Sequence, residues 1–236
     1  MGTKQSFFSI LSILACAIGM KAVGQKDELV NARDRQDLAA IQNLIGQYQR
    51  AADQNAKSAD SQYRLALAYS YGAEVAMELR DKRKAESLAE AGFTVAQKAV
   101  DQNGQNAEYH RLLGELCGQV IPASPLMGTL KYGQCARDEI NKAIQLNGNL
   151  ALAYVSRGVG NYYLPASMGG GIDLAIKDFD KAISVNPDLA EAYLWKGIAL
   201  HKANRNPEAR QALQKALQLD PERVWAKDQL NKIPAQ

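Results

Sequence analysis

The chain has 236 residues, with 28 basic and 25 acidic side chains and a formal net charge of +3, which excludes the strongly basic footprint of nucleic-acid binding. It is rich in alanine, leucine and glutamine and contains only four phenylalanines and two tryptophans. Because no run of Val, Ile and Thr alternates with polar residues, the composition excludes a sheet-based fold and predicts an all-helical chain.

Residues 1–24 have the pattern of a secretory signal peptide. Lys4 precedes an apolar run that ends at Met20, and small residues follow it. The run is about 14 residues long, short of the ~20 that a membrane-spanning helix needs, and no other segment could span a bilayer. We expect cleavage after Gly24 and a periplasmic or secreted protein. An uncleaved anchor, or a lipid attached at Cys16, are the alternatives.

The rest of the chain divides into helix-like runs. A solitary helix is predicted over residues 27–55, where apolar residues recur at helical spacing. Helix pairs are predicted to follow at 59–79 with 82–102, 106–119 with 130–146, 150–163 with 171–185, and 189–203 with 206–218. A final helix over 222–232 would cover the open end. Proline and glycine in 120–134 and 164–171 predict two loops, inserted within adjacent pairs on the same edge.

The runs end in a recurring motif, which is a basic residue, an alanine, and Asn or Asp four positions after the alanine. The alanines are separated by 48, 44, 39 and 34 residues, and they are Ala51, Ala99, Ala143, Ala182 and Ala216. Recurrence at such periods is typical of a stacked array of helix pairs.

The last two units also share a longer pattern. One unit contains Tyr154, Gly158, Asn161, Ala175, Phe179, Ala182 and Pro187; the other contains Tyr193, Gly197, Leu200, Ala209, Leu213, Ala216 and Pro221. Two earlier units match less well. These residues resemble the tetratricopeptide repeat (TPR) family, and together with the leader the chain resembles an exported bacterial TPR protein.

The resemblance implies an all-α fold, a right-handed α-solenoid of antiparallel helix pairs. It would fill residues 25–236 with about four TPR-like units, two of them with inserted loops, and with N- and C-terminal capping helices. The units are expected at about 59–104, 106–148, 150–187 and 189–221, with the capping helix at 222–232. Glycines on the first helix of a pair would meet alanines on the second, because close helix approach requires small side chains.

In proteins of this kind the first helix of each pair lines a concave face. Outward positions on those helices give a predicted groove made of Tyr63, Leu67, Tyr71, Arg111, Glu115, Val155, Val159, Tyr162, Leu194, Ile198 and His201. Tyrosines at several levels suit recognition of a protein or peptide. We therefore predict a non-catalytic scaffold or adaptor in the cell envelope, which binds its partner through this groove and the inserted loops. The alternatives are a small-ligand-binding accessory protein for a transporter, and a structural homo-oligomer.

Neither catalytic nor cofactor nor metal-binding residues are predicted. The two histidines, His110 and His201, lie two repeats apart, and no His, Cys and acid cluster has metal-ligand spacing. Cys117 and Cys135 flank the first inserted loop and would form a disulfide in an oxidising compartment. The alternative is a pair of free cysteines that pack as small apolar residues.

Overall fold

The computed structural model describes residues 27–121 and 125–234, and within these ranges all regular structure is helical. The α-helices are α1 (Glu28–Asp34), α2 (Leu38–Gln54), α3 (Ala59–Glu78), α4 (Lys82–Gln102), α5 (Ala107–Val120), α6 (Pro125–Leu146), α7 (Ala151–Tyr163), α8 (Ile172–Val185), α9 (Ala190–Lys202), α10 (Asn206–Leu219) and α11 (Val224–Asn231).

The helices stack as antiparallel pairs, which confirms the predicted α-solenoid. Within the pairs α3 packs on α4, α5 on α6, α7 on α8 and α9 on α10, and each pair also contacts the next. Helices α1 and α2 precede the first pair, and α11 follows the last. The first helices α3, α5, α7 and α9 also contact one another along the stack, and we call the face that they form the inner face.

Two glycines set the distance between paired helices. A Cβ atom on Gly158 would lie 2.5 Å from Cε1 of Phe179, and one on Gly197 would lie 2.6 Å from Cγ of Leu213. Both spacings are well below van der Waals contact, so only glycine permits this approach. Large side chains from the second helix fill the space that a Cβ atom would take, which is the close packing that the repeat pattern predicts.

The Asn or Asp at the end of the recurring motif forms the turn after the last helix of each unit. Each of four side chains accepts a hydrogen bond from the backbone N–H two residues later, at 3.0–3.3 Å, and they are Asn103, Asn147, Asn186 and Asp220. Such a bond turns the chain after a helix has ended. The alanines of these four motifs are buried, whereas Ala51 is exposed and Ala52 is buried in its place. The earliest motif is therefore shifted by one residue.

The predicted solitary helix over residues 27–55 is two helices in the structure. Gln36 has a φ of 56°, in the left-handed region, and this turns the chain between α1 and α2. Asp37 then caps α2, because its side chain accepts a hydrogen bond of 2.9 Å from the backbone N–H of Ala40. A strong N-cap in the middle of an apolar pattern ended the helix that periodicity alone would continue.

The two insertions differ from each other. In the first, over 120–134, helix α6 already begins at Pro125, so most of the predicted loop is helix. Proline fits the first turn of a helix because that turn leaves its N–H groups unpaired, and here it starts the helix instead of ending one. The second, over 164–171, is a loop with one 3₁₀ turn at Ala166–Met168. The chain therefore does not carry two matching loops on one edge.

A disulfide joins Cys117 on α5 to Cys135 on α6, with their Cα atoms 6.1 Å apart. It links the two helices of one pair, and the two cysteines are 18 residues apart in sequence.

We expect replacement of both cysteines by serine to lower the free energy of unfolding by about 3 kcal/mol, because the unfolded chain is then no longer constrained by a closed loop of this length. Urea unfolding of the variant and of the parent, with and without dithiothreitol, measures this. If the parent has the same urea midpoint with and without dithiothreitol, the expectation is wrong.

Candidate partner-binding surface

A polar network covers the centre of the inner face. The carboxylate of Glu115 accepts hydrogen bonds from Ser70 Oγ at 3.0 Å and from Ser156 Oγ at 2.9 Å, which connects α3, α5 and α7. It also pairs with Arg111, a residue that is only 3% exposed and whose guanidinium contacts Glu108 as well. Burial acts to lower the pKa of Arg111, but the two glutamates outweigh it and hold that pKa well above its usual value. The predicted groove residues Arg111 and Glu115 thus satisfy each other.

The predicted tyrosines on α3 are also partnered within the chain. Tyr63 stacks on Tyr109 with ring centroids 5.2 Å apart, and its hydroxyl donates a hydrogen bond of 3.0 Å to Glu108. Tyr71 lies under the guanidinium of Arg33 on α1, 4.8 Å from the ring centroid. Leu67, between them, packs against the N-terminal apolar core. This end of the predicted groove is therefore covered by α1 and α5.

The two ends of the solenoid meet across the inner face. Arg223, at the start of α11, lies 2.6 Å from a Glu74 oxygen and 2.5 Å from a Glu78 oxygen, both on α3. The side chain of Arg223 is 3% exposed. Nearby, Arg33 lies 3.8 Å from Glu191 on α9. We call this set of contacts between α1, α3, α9 and α11 the closure.

Among the described residues, the closure brings together side chains of both charges. It contains two guanidiniums and four carboxylates, which are Arg33, Arg223, Asp34, Glu74, Glu78 and Glu191. Burial raises the pKa of Glu74 to about 8, although Arg223 and Arg33 act to lower it. Burial also raises the pKa of Glu78. Glu74 and Glu78 are therefore harder to ionise in the folded chain than in water, because burial penalises their charged forms.

A cavity of about 190 Å³ remains beside the closure. Its lining includes the predicted groove residues Tyr71 and Leu194, together with Arg33, Leu152, Leu189 and Arg223. Pockets for drug-sized ligands usually measure ~300–1,000 Å³, so this cavity is small for such a ligand.

Four aromatic rings form a continuous series along the C-terminal half of the inner face. Trp195 on α9 lies 6.0 Å from Tyr162, 6.3 Å from Tyr163 and 5.1 Å from Trp225, measured between ring centroids. Tyr163 is 57% exposed, and the ammonium of Lys202 lies 4.1 Å from the Tyr162 ring. We call these four rings the aromatic ladder.

Only Tyr162 of the ladder belongs to the predicted groove. Val155 and Leu194 are buried in the C-terminal core, and Val159 and Ile198 pack against it. His201 Nδ1 lies 2.8 Å from Asn206 Oδ1, inside its own repeat.

Sequence reasoning missed three ladder residues, which are Tyr163, Trp195 and Trp225, and both arginines of the closure, which are Arg33 and Arg223. The sequence does contain a signal for Trp195, because this residue directly follows Leu194, which belongs to the predicted groove. No local signal marks Arg223, whose partners lie on the first repeat.

The described part of the chain has no group of three or more His, Cys, Asp or Glu residues placed to hold a metal ion. His110 is a buried residue whose Nδ1 lies 2.5 Å from Glu139 and whose Nε2 lies 3.0 Å from the Gly104 carbonyl oxygen. None of the helices in the described ranges has the length and apolarity of a membrane span. The predicted signal peptide over residues 1–24 lies outside the described residues.

Comparison with known proteins identifies both a family and a fold. The family model described as "Regulator of microtubule dynamics protein 1-3" matches residues 23–232. Regulator of microtubule dynamics protein 3 from Bos taurus is 32% identical over 95 residues, which is 40% of this chain and 20% of that protein. Its counterpart from Xenopus laevis is 32% identical over 92 residues, 39% of this chain and 19% of the relative. The aligned region thus spans about a fifth of the length of these relatives.

Among solved structures, the chain is similar to TTC0263, described as a thermophilic TPR protein in Thermus thermophilus. The TM-score is 0.58 at 18% sequence identity, and the match covers 87% of this chain and all of the other. At this identity the likeness shows the fold alone, and that fold is the TPR solenoid that the repeat pattern predicts.

The predicted periplasmic or secreted location is wrong. The matched family and both relatives are regulators of microtubule dynamics, and the relatives come from animals, whose cells have no periplasm. Residues 1–24 predicted export because they have a basic start and an apolar run, but this pattern is short and unspecific.

Proposed function

Because the chain belongs to the family of regulators of microtubule dynamics proteins 1–3, we propose that it is a non-catalytic TPR scaffold that binds a protein or peptide of the microtubule system. The family membership supports the kind of partner. The TPR solenoid supports a scaffold role, since stacked repeats present extended binding surfaces.

The aromatic ladder is the observation that carries this proposal. Tyrosine and tryptophan offer a large contact area and lose little side-chain entropy on binding. Tyr163 leaves more than half of its surface in contact with solvent, although its ring packs on Trp195. By contrast, the charged groups of the polar network around Glu115 pair with one another. We therefore propose that a partner contacts the ladder first.

We expect Tyr162→Ala combined with Tyr163→Ala to weaken binding to purified tubulin or assembled microtubules at least tenfold. Aromatic hot spots at protein interfaces contribute about 2 kcal/mol or more each, and both rings lie at the accessible end of the ladder. Co-sedimentation with microtubules, and fluorescence anisotropy with labelled tubulin, measure the change.

Tyr48→Ala is the matched control, because Tyr48 is a partly exposed tyrosine on α2, away from the ladder. A parent that binds neither tubulin nor microtubules, or a folded double variant that binds as the parent does, would count against the proposal. The predicted homo-oligomer is tested in the same samples, since light scattering over a range of concentrations reports the mass.

A further inference from the structure

The closure joins the ends of the solenoid through side chains alone. The C-terminal apolar core includes Tyr154, Phe179 and Ile233, and none of its members belongs to the apolar clusters of the N-terminal half. In the described ranges, no extensive helix packing connects α1 or α3 with α9, α10 or α11. The ends therefore lack the shared apolar core that holds neighbouring repeats together.

Buried ion pairs are a weak way to hold two surfaces together. The attraction between opposite charges is largely offset by the loss of their hydration, and opening would return that hydration to every group at once. Here Glu74 and Glu78, one turn apart on α3, both face Arg223, so these two like charges repel each other in the closed arrangement. For both reasons, the difference in free energy between the open and closed forms is smaller than it would be if an apolar contact joined the ends.

Closing the ends also covers part of the inner face. Tyr71 and Leu194 line the small cavity, and Arg223 is part of its wall. Trp225 lies two residues after Arg223, on the same short helix, and its ring contacts Trp195. If Arg223 leaves α3, then α11 and the last ring of the aromatic ladder move with it.

We propose that the closure is an autoinhibitory contact, in which Arg223 holds α11 against α3 and keeps the part of the inner face around the cavity covered. Release of Arg223 opens the solenoid and widens the cavity that Tyr71 and Leu194 line. The opening is a property of the chain itself. Its inhibitory meaning rests on the proposed function, since only a partner on the inner face is affected by it.

The two tryptophans of the chain make the opening measurable, because both belong to the ladder and lie 5.1 Å apart. We expect Arg223→Ala to keep its helix content by far-ultraviolet circular dichroism and to gain radius of gyration in small-angle X-ray scattering. Tryptophan emission should shift to longer wavelength, and the near-ultraviolet dichroism of the ring pair should be lost. Arg205→Ala is the control, because Arg205 is exposed and, among the described residues, its guanidinium pairs with Glu208 in the first turn of α10.

A second variant approaches the same contact from α3. Glu78→Lys places a like charge opposite Arg223, and we expect the same increase in radius and the same spectral shift. In the parent, hydrogen exchange should be faster in α1 and α11 than in α5 and α7.

Folded variants with the scattering curve and tryptophan spectrum of the parent would overturn the inference. If neither variant folds, hydrogen exchange of the parent is the deciding measurement. Equal protection of α1, α5, α7 and α11 would then overturn the inference. None of these measurements uses a partner, so a failed tubulin experiment leaves their outcome intact.

Discussion

Replacing Phe179 with alanine is expected to lower the free energy of unfolding by about 3 to 5 kcal/mol, the usual range for a large aromatic side chain removed from a core. Phe179 has no solvent-exposed surface, and its ring fills the space above Gly158. The neighbouring backbone is held by helix packing on both sides, so the structure has little freedom to collapse into the cavity. Urea unfolding followed by circular dichroism measures the change.

Leu174→Ala is the matched control for Phe179→Ala. Leu174 lies on the same helix, α8, but 44% of its surface is exposed. We expect its loss to change the free energy of unfolding by no more than about 0.5 kcal/mol, as for other exposed positions. Equal losses in the two variants would show that Phe179 does not hold the pair α7 and α8 together.

Replacing Glu74 with glutamine is expected to stabilise the protein above pH 8 and to change little near pH 4. Burial raises the pKa of Glu74 from 4.5 to about 8 in the folded chain, so the folded state binds more protons than the unfolded state between these values. The free energy of unfolding of the parent therefore falls as pH rises through this window, and it is level above it. At ~1.4 kcal/mol per pKa unit the effect is no larger than ~5 kcal/mol, and relaxation of the closure reduces it.

Thermal unfolding of parent and variant between pH 4 and pH 9 tests this expectation. Glu222→Gln is the control, because Glu222 lies next to the closure but is half-exposed and pairs with the exposed Arg35. Glu78 keeps its own raised pKa, so the Glu74 variant should retain part of the pH dependence. A Glu74 variant that is less stable than the parent at pH 9 would show that the carboxylate is favourable when ionised.

Much of the repeat architecture was predictable from the sequence because it depends on residues close together along the chain. Small residues at Gly158 and Gly197, and the motif ends at Asn186 and Asp220, act within one helix pair or at one turn. Their spacing therefore records the structure directly. Two local predictions were nevertheless wrong. The N-cap at Asp37 begins a new helix where the apolar pattern predicted one continuous helix, and Pro125 begins a helix where proline predicted a loop.

The candidate site was predictable only in part. The inner-face assignment followed from the family pattern, and it included Tyr162, whose ring contacts Tyr163 and Trp195. It also included Val155 and Leu194, which the structure buries. Burial of one face against another depends on the curvature of the whole stack, and helical periodicity describes a single helix at a time.

The helix pairs, their order and their close packing follow from the sequence, because short-range contacts and small residues leave a periodic pattern. The meeting of the solenoid ends and the single series of aromatic rings are seen in the three-dimensional structure alone. Arg223 reaches Glu74 across 149 residues of sequence and Glu78 across 145. No repeat period relates these positions, since the accumulated rotation of all the pairs brings them together.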